Sequence, residues 1–490
     1  MLFSLFAESK KLNIMEKSDS LKSSYEGKWG AMLAIGVGMF MGALDMSIIN
    51  VSLPTLMVRL NTEFVLVQWV IISYNLVMTS VMLGAARLGD IHDKKKLNIL
   101  GLFLFTLGSL LCGLSPNVGW LITFRILQGT GAVIMQALGM AMIVESVPPS
   151  ERGRSIGILG SSSSIAFALG PAIGGIILGS IGWRWVFLFN VPFGIFALWA
   201  AVKFLPKIPS RETNQKFDTW GACILFIALG CFALGMTLGQ DQGFKIGIVQ
   251  ILLMTAALGV ALFLFIERKI EFPMVDLSLF KNMGFNINLL MGFIAFVTIS
   301  GFFLMPFFLQ FVRHYTPKQI GFIMMVTPVC VGIFSFISGN LSDRFGTRGL
   351  SISGMLLIAA GCLSVSTLTP GTGVAGYLLR LVPLAIGLGT FSSPNNSAVM
   401  GAAPPERLGV ASGLLSLSRS LAQTIGMPIM GTIFSATLIS HTKLETLPDI
   451  SDVAPDALVK GITMTYFSGG IFIIAVSIIA IILFKLRRKH

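Results

Sequence analysis

The sequence predicts an all-α integral membrane fold of fourteen transmembrane helices, arranged as two six-helix bundles with two inserted helices between them. Three observations support this prediction. Hydrophobic residues make up 54% of the 490 positions, only 12% are charged, and the charges cluster between long apolar stretches. A soluble protein of this length needs far more polar surface. Each stretch can cross about 30 Å of hydrocarbon as a helix of about 20 residues, which satisfies its own backbone hydrogen bonds.

The predicted helices are apolar stretches of transmembrane length, separated by polar segments that hold most charged residues. In order, they span residues 29–58, 64–86, 97–115, 118–145, 154–179, 183–205, 218–239, 246–266, 285–312, 318–341, 350–368, 373–400, 408–439 and 458–485. The predicted division is a cytoplasmic N-terminal segment at 1–28, an N-terminal six-helix bundle at 29–205, a two-helix insert with cytoplasmic linkers at 206–284 and a C-terminal six-helix bundle at 285–490.

The basic residues support this helix count and predict an orientation. With a cytoplasmic N-terminus, 25 of the 35 Lys and Arg residues lie in inside segments, 7 lie outside and 3 lie within spans. Cytoplasmic loops carry an excess of Lys and Arg, so we expect a multi-pass protein of the cell membrane with both termini cytoplasmic. The same clustering argues against a nucleic-acid partner despite the net charge of +13, because no basic groove-reading surface is present.

An internal repeat relates the two predicted bundles. The segments RILQGTG…PPSERGRSIG and RLVPLAIGLG…PPERLGVASG start 255 residues apart, at Arg125 and Arg380, and each has a further arginine 27 residues on. The polar loop around Asp90 recurs around Asp343, displaced by 253 residues. Parallel repeats of this kind place a substrate cavity near the midplane, between halves that rock about it.

The sequence also restricts the energy source and the chemistry. It contains no GxxxxGK[ST] motif and no loop long enough for a soluble ATPase domain, so uphill transport by this chain needs an ion gradient or a partner subunit. Five Cys and four His residues show no metal spacing, so no metal site is expected. No catalytic cluster of His or paired acids is visible, so no catalytic residues are predicted.

Two ionisable residues lie deep inside predicted helices, where such groups are costly and point to function. Asp45 lies sixteen residues after Trp29, roughly 24 Å into the bilayer from the cytoplasm. Arg125 follows Trp120 on the inward-running fourth helix, about 7–8 Å below the outer boundary. Their similar depth predicts a buried acid–base pair on two helices of one bundle.

Such a pair can serve as a proton switch. Burial disfavours the charged form of a carboxylate and a nearby Arg favours it, so a small rearrangement can move Asp45 between charged and neutral states. The alternative is a structural ion pair that fixes helix packing. Arg380 matches Arg125 in the repeat, but the second bundle has no acid that matches Asp45.

Uncharged polar residues within the spans are the candidates for substrate contacts, although many such residues form interhelical hydrogen bonds instead. The cavity candidates are Asn50, Tyr74, Gln128, Gln310, Asn395 and Gln423. The fifth helix adds glycines on both sides of Pro171, which permit close backbone approach and a bend. That helix is therefore a candidate pivot, with tight packing as the alternative.

Several segments occur together and in a specific order: ALDMSIINVSLPTL (43–56), QWVIISYNLV (68–77), RLGDIHDKKKL (87–97), FRILQGTGA (124–132), PPSERGR (148–154), ALGPAIGGIILGSIGWRWVFLFNVPFG (168–194) and RSLAQTIG (419–426). On these segments the chain resembles the fourteen-helix drug:proton antiporter family of the major facilitator superfamily, from Trp29 to the last helix. The resemblance implies the major facilitator fold and proton-driven export.

The resemblance also implies roles for individual residues. Asp45 matches a first-helix acid linked to proton coupling, and Arg125 matches a fourth-helix arginine linked to proton relay. Cytoplasmic gating is expected at Asp90, Arg152, Asp343 and Arg344, and the fifth-helix motif associated with antiporters matches Gly170, Pro171, Gly174 and Gly175. The first loop departs from the family pattern, because Ala86 and Asp93 stand where glycine is usual.

The sequence therefore predicts a proton-coupled antiporter that exports small amphipathic or hydrophobic compounds by alternating access. Its expected partners are a small-molecule substrate, protons and the lipid bilayer, with no cofactor besides the proton gradient and a monomeric state. A dedicated exporter of one metabolite, antibiotic or lipid is the alternative within transport. A membrane sensor without transport activity or a lipid enzyme is the alternative from another class.

Overall fold

The computed structural model describes residues 28–148, 151–206, 219–270, 277–404, 407–442 and 447–487. Nearly all of the predicted cytoplasmic segment at 1–28, and parts of the linkers in the predicted insert, lie outside these residues. The boundaries of the predicted division into segments stay a prediction.

Within the described residues the secondary structure is entirely helical, and fourteen helices are long and apolar enough to cross a membrane. They are α1 Lys28–Arg59, α2 Phe64–Ile91, α3 Lys94–Leu114, α4 Val118–Ser146, α5 Arg152–Ser180, α6 Arg184–Phe204, α7 Thr219–Gln242, α8 Gly247–Glu267, α9 Met283–Val312, α10 Pro317–Phe345, α11 Thr347–Val365, α12 Val374–Gly401, α13 Leu408–Thr442 and α14 Pro455–Arg487. The predicted fold class is confirmed. We call the end at which α1 begins the inner end, which the charge pattern predicts to be cytoplasmic, and the other the outer end.

Local capping explains several helix boundaries. The Asp93 carboxylate accepts hydrogen bonds from the backbone N–H groups of Lys95 and Lys96, so α3 starts three residues before the predicted boundary. At the start of α10, Thr316 and Gln319 form a capping box, with Pro317 in the first helical turn. Asp93 therefore serves as a helix cap at a position where the family pattern has glycine.

Helix α9 is irregular in its outer half. A 3-10 segment covers Ser300–Leu304 and a π-helical turn covers Phe308–Val312. Pro306 lies between them and has no N–H to donate to the preceding turn, which favours a departure from α-helical bonding. This irregular stretch borders the central cavity described below.

The packing of the helices reproduces the internal repeat. In the first half α1 packs on α5 and α6, α2 on α4, and α3 on α4 and α6. In the second half the same contacts recur eight helices later, since α9 packs on α13 and α14, α10 on α12, and α11 on α12 and α14. The two halves meet where α5 packs on α10 and where α2 packs on α13. Corresponding helices thus occupy corresponding places in the two halves.

The two inserted helices form a hairpin against one side of this pair of halves. Helix α7 packs on α2 and on α13, while α8 packs on α7. Buried Gln240 of α7 contacts both halves, because its Oε1 accepts a hydrogen bond from Gln68 of α2 (3.1 Å) and its Nε2 donates to the Pro428 carbonyl of α13 (3.2 Å). Gly431 on α13 leaves room for these two amide groups, since a Cβ there would lie 2.7 Å from Gln68 Oε1.

The surface of the helices is apolar. On α8 the exposed side chains include Ile251, Met254 and Leu258, each at least 60% exposed. Exposure of such an apolar surface to water is unfavourable, whereas contact with the apolar tails of lipids is not. The protein is therefore a multi-pass membrane protein.

The contact between α5 and α10 is tightest at the outer end. A Cβ on Gly175 would lie 2.5 Å from the Pro317 carbonyl oxygen and 2.9 Å from the Cα of Gly321. Nearer the inner end, no atom of another described helix lies within 4 Å of the Cβ position of Gly160 on α5 or Gly332 on α10. The two helices are therefore in close contact at the outer end, and there is open space at these two glycines nearer the inner end.

Candidate functional site

The two ionisable residues predicted to pair do form an ion pair inside the first half. Asp45 of α1 and Arg125 of α4 are each 1% exposed, and Arg125 Nη1 lies 2.6 Å from Asp45 Oδ2. At 4 Å or less in a medium of low dielectric, opposite unit charges interact strongly, which offsets part of the large cost of removing both from water.

Two amide side chains complete the hydrogen bonding of the carboxylate. Gln128 Nε2 and Asn190 Nδ2 donate to Asp45 Oδ1 over 2.9 and 3.0 Å. Gln128 lies one helical turn beyond Arg125 on α4, and its Nε2 also donates to the Ser109 hydroxyl of α3 (2.8 Å). Asn190 comes from α6, so four helices meet at this network. The Asp45 carboxylate is therefore held by three donors.

The Arg125 guanidinium is held from several sides. Its Nε donates to the Val70 carbonyl of α2 (3.0 Å), and its Nη1 donates to Gln128 Oε1 (2.7 Å) as well as to Asp45. The ring of Tyr74 lies 4.2 Å from the guanidinium carbon, which allows a cation–π interaction. Among the hydrogen bonds of the described residues, none uses Nη2 of Arg125.

A cavity of about 500 Å³ lies between the two halves beside this network. Helices α1, α2, α4 and α5 line one side, and α9, α10, α12 and α13 line the other. Of the six residues predicted to contact substrate, Asn50, Tyr74 and Gln423 line the cavity, as does Arg125. Volumes of about 300–1,000 Å³ hold drug-sized ligands.

The other three candidates are not among the described lining residues. Gln128 belongs to the network around Asp45. Gln310 lies between the halves near the outer end, where its Oε1 accepts a hydrogen bond from Thr55 of α1 (3.3 Å). Asn395 of α12 is buried beside Gly292 of α9. Their proposed substrate contacts stay predictions.

The predicted gating residues lie at the inner end. Asp343 and Arg344 are exposed in the last turn of α10, and Arg152 is half-buried at the start of α5. Asp90 lies in the last turn of α2, but its side chain is outside those that the structure describes. The gating roles stay predictions.

The four residues of the predicted antiporter motif face two different neighbours. Gly170 and Gly174 face α1, since a Cβ on Gly170 would lie 2.5 Å from the Cβ of Ser47. Gly175 and the carbonyl of Pro171 face Gly321 of α10. The motif therefore brings α5 close to its own half and to the opposite half at the same level.

Sequence reasoning did not single out Asn190 or Ser109. Asn190 lies in the segment at 168–194 that carries the family resemblance, and it is an amide within an apolar span. These two features together could have identified it as a candidate. Ser109 carried no comparable signal, because small hydroxyl residues are frequent in membrane helices. Arg380, the repeat counterpart of Arg125, is half-buried and donates to Thr367 Oγ1 (2.9 Å).

Comparisons with known proteins agree with this architecture. The family model of the Major Facilitator Superfamily matches residues 35–427. The riboflavin transporter RibZ of Clostridioides difficile (strain 630) is 33% identical over 420 residues, which cover 86% of this chain and 91% of RibZ. The multidrug resistance protein Stp of Mycobacterium tuberculosis (strain CDC 1551 / Oshkosh) is 31% identical over 427 residues, covering 87% of this chain and 78% of Stp.

Solved structures share the fold at low sequence identity. A bacterial homologue of the human lysosomal transporter Spinster, in an inward-facing and unoccupied conformation, has a TM-score of 0.66 and 16% identity, with 94% of this chain and 97% of that chain covered. A POT family transporter in complex with a thioalcohol-conjugated peptide has a TM-score of 0.67 and 14% identity, with 94% and 96% covered.

Proposed function

The chain belongs to the Major Facilitator Superfamily, and we propose that it is a proton-coupled antiporter that exports small amphipathic or hydrophobic compounds by alternating access. The observation that carries this proposal is the Asp45–Arg125 ion pair, buried beside a cavity between the two halves. A titratable group at this position can link its own protonation to the arrangement of the helices around the substrate.

The physical argument concerns the cost of charge at membrane depth. The buried pair is tolerable because the two charges compensate each other and their hydrogen bonds are satisfied. When Asp45 takes up a proton, Arg125 loses its compensating charge and the packing of α1 against α4 changes. The proton thus acts as a ligand that binds one arrangement of the halves better than the other. Protonation of Asp45 therefore favours one arrangement, and deprotonation favours the other.

In the proposed cycle, protonation of Asp45 from the outside favours substrate release, and deprotonation to the cytoplasm resets the cavity for loading. The proposal includes a cell-membrane location with both termini cytoplasmic, a proton gradient as the energy source, no cofactor and a monomeric transporter. The gating role is proposed for Asp90, Arg152, Asp343 and Arg344, which lie at the inner end.

The relatives support export but leave a second candidate. Stp is named a multidrug resistance protein, and a tetracenomycin C resistance and export protein of Streptomyces glaucescens is 29% identical over 411 residues. RibZ, covered over 91% of its length, is named a riboflavin transporter. That match favours transport of a single metabolite as the alternative. Growth of an expressing strain with unrelated toxic compounds separates the two, because a dedicated transporter protects against none or one of them.

The test of proton coupling is Asp45→Asn, which keeps the side-chain size and removes the titratable charge. We expect it to abolish substrate-driven proton flux in proteoliposomes. Asp452→Asn, an exposed acid beyond the membrane helices, is the matched control and should transport normally. Proton flux in Asp45→Asn equal to that in the control would remove Asp45 from the mechanism.

A further inference from the structure

The wall of the central cavity has a distinctive charge distribution. Arg125 is the one charged side chain among the described lining residues, and none of those residues carries a carboxylate. Asp45 lies behind this wall, with its side chain fully buried and both oxygens bonded to Arg125, Gln128 and Asn190. A ligand in the cavity therefore contacts the ion pair on the side of Arg125, whose charge Asp45 neutralises.

Two hydrogen-bond donors next to the Asp45–Arg125 pair lack a protein partner among the described residues. The Tyr74 hydroxyl is buried and unpaired, although Tyr74 lines the cavity. In Arg125, Nε donates to the Val70 carbonyl and Nη1 donates to Asp45 and Gln128, whereas Nη2 makes no hydrogen bond to a described residue. A buried hydroxyl without a partner is costly, and a ligand acceptor placed beside Tyr74 would remove that cost, while Nη2 of Arg125 offers the same ligand a charged donor.

The rest of the wall is largely apolar and aromatic. Phe167 lies on the side of the first half, and Phe296, Phe302 and Phe303 of α9 face it from the second half, with Met324 and Met427 beside them. Aromatic rings and adaptable methionines favour flat apolar ligands. The cavity thus offers the Arg125 and Tyr74 donors beside the ion pair, a large apolar and aromatic surface, and uncharged polar groups such as Asn50 and Gln423.

We propose that this cavity selects uncharged amphipathic molecules that present hydrogen-bond acceptors to Arg125 and Tyr74, and that it discriminates against cations. The inference rests on the proposed function and names its substrate class. A cation entering the cavity would lose its hydration without a free carboxylate to pair with, which is costly. An anion would bind next to Arg125, whose charge Asp45 already neutralises. It would therefore place a second negative charge close to Asp45 without a free cation to pair with.

This substrate class has an electrical consequence. Exchange of an uncharged molecule for a proton moves one net positive charge across the membrane per proton. A membrane potential must then drive the exchange even when the pH is equal on both sides. Exchange of a monocation for one proton would show no such dependence.

Three probes with the same ring system test the selectivity: uncharged acridone, the permanent cation 10-methylacridinium and the anion acridine-9-carboxylate. Equilibrium dialysis against the full-length protein in nanodiscs, corrected with empty nanodiscs, measures binding. We expect saturable binding of acridone and at least about tenfold weaker binding of both ions. Equal or tighter binding of either ion, or no saturable binding of acridone, overturns the inference.

A pair of variants tests the donor at the wall. Tyr74→Phe removes only the hydroxyl and should weaken acridone binding by about three- to tenfold, as expected for one neutral hydrogen bond. Tyr377→Phe is the matched control, because Tyr377 is equally buried with an unpaired hydroxyl but is not among the described lining residues. An equal effect of the two substitutions contradicts the assignment of Tyr74.

Flux measurements separate this inference from the proposed function. Acridone-driven proton flux is recorded in proteoliposomes with a trapped pH indicator, with and without a potassium diffusion potential at equal pH. Acceleration by the potential supports the inference, and flux that is indifferent to the potential overturns it. If acridone binds as expected but drives no proton flux, the proposed antiport fails while the binding preference stands.

Discussion

At the scale of single residues, the Asp45 carboxylate shows how a charge is kept inside the membrane. Three side chains on α4 and α6 donate to it: Arg125, Gln128 and Asn190. Breaking a buried ionic network by removing one partner is more costly than its net contribution suggests, because the remaining charge stays buried. The positioning of Asp45 therefore depends on amides as well as on its counter-ion.

Asn190→Ala tests this dependence. The substitution removes one donor to a buried carboxylate, and we expect the free energy of unfolding to fall by about 1–3 kcal/mol. Thermal unfolding in detergent measures the loss. In an Asp45→Asn background the loss should shrink, because the charge that Asn190 stabilises is gone. Equal losses in both backgrounds would mean that Asn190 acts through packing alone.

At the scale of helices, α5 and α10 make the closest contact between the two halves. Small residues allow this contact, and Gly175 meets the backbone of α10 where no side chain fits. The same helix has open space around Gly160. Helix α5 thus combines a tight outer contact with open space at Gly160 nearer the inner end, which is compatible with the proposed alternating access.

Gly175→Ala should open the outer end. Its Cβ would lie 2.5 Å from the Pro317 carbonyl oxygen, and overpacking of this kind costs about 1–3 kcal/mol. Pulsed electron paramagnetic resonance between spin labels at Ser180→Cys and Lys318→Cys, in a cysteine-free background, should show a longer-distance population. Gly160→Ala on the same helix is the control. An identical distance distribution in the two variants would mean that the contact at Gly175 does not keep the outer end closed.

The inserted hairpin contacts both halves through α7. Gln240→Leu removes the amide that bonds Gln68 and the Pro428 carbonyl, so a buried polar group on α2 and another on α13 each lose one of their two hydrogen-bond partners. We expect a loss of about 1–3 kcal/mol in stability, measured by thermal unfolding, together with slower transport. Gln250→Leu on the exposed face of α8 should change neither. Wild-type stability and transport in Gln240→Leu would exclude a linking role for α7.

At the scale of the whole molecule, the described helices repeat their packing with a period of eight, and the basic residues concentrate in the predicted inside segments. The first fact supports two halves that move against each other. The second predicts which end faces the cytoplasm, since 25 of 35 Lys and Arg residues lie in the predicted inside segments.

The predicted orientation can be measured with reporter fusions. A fluorescent protein that folds only in the cytoplasm should be bright when fused after His490, and alkaline phosphatase should be active when inserted at Gly243, between α7 and α8. The reverse pattern at both positions would invert the topology, and with it the assignment of the inner and outer ends.

The sequence alone determined the number and order of the helices, because a membrane-spanning helix needs a long apolar stretch that can be read directly. It also determined that Asp45 and Arg125 lie at similar depth, because depth follows from a fixed rise per residue. Only the tertiary structure decided that Asn190 joins them, that Asp45 lies behind the cavity wall, and that Gln310 lies in an outer contact between the halves. Those outcomes depend on how each helix is rotated and packed against its neighbours, which spacing along one chain does not specify.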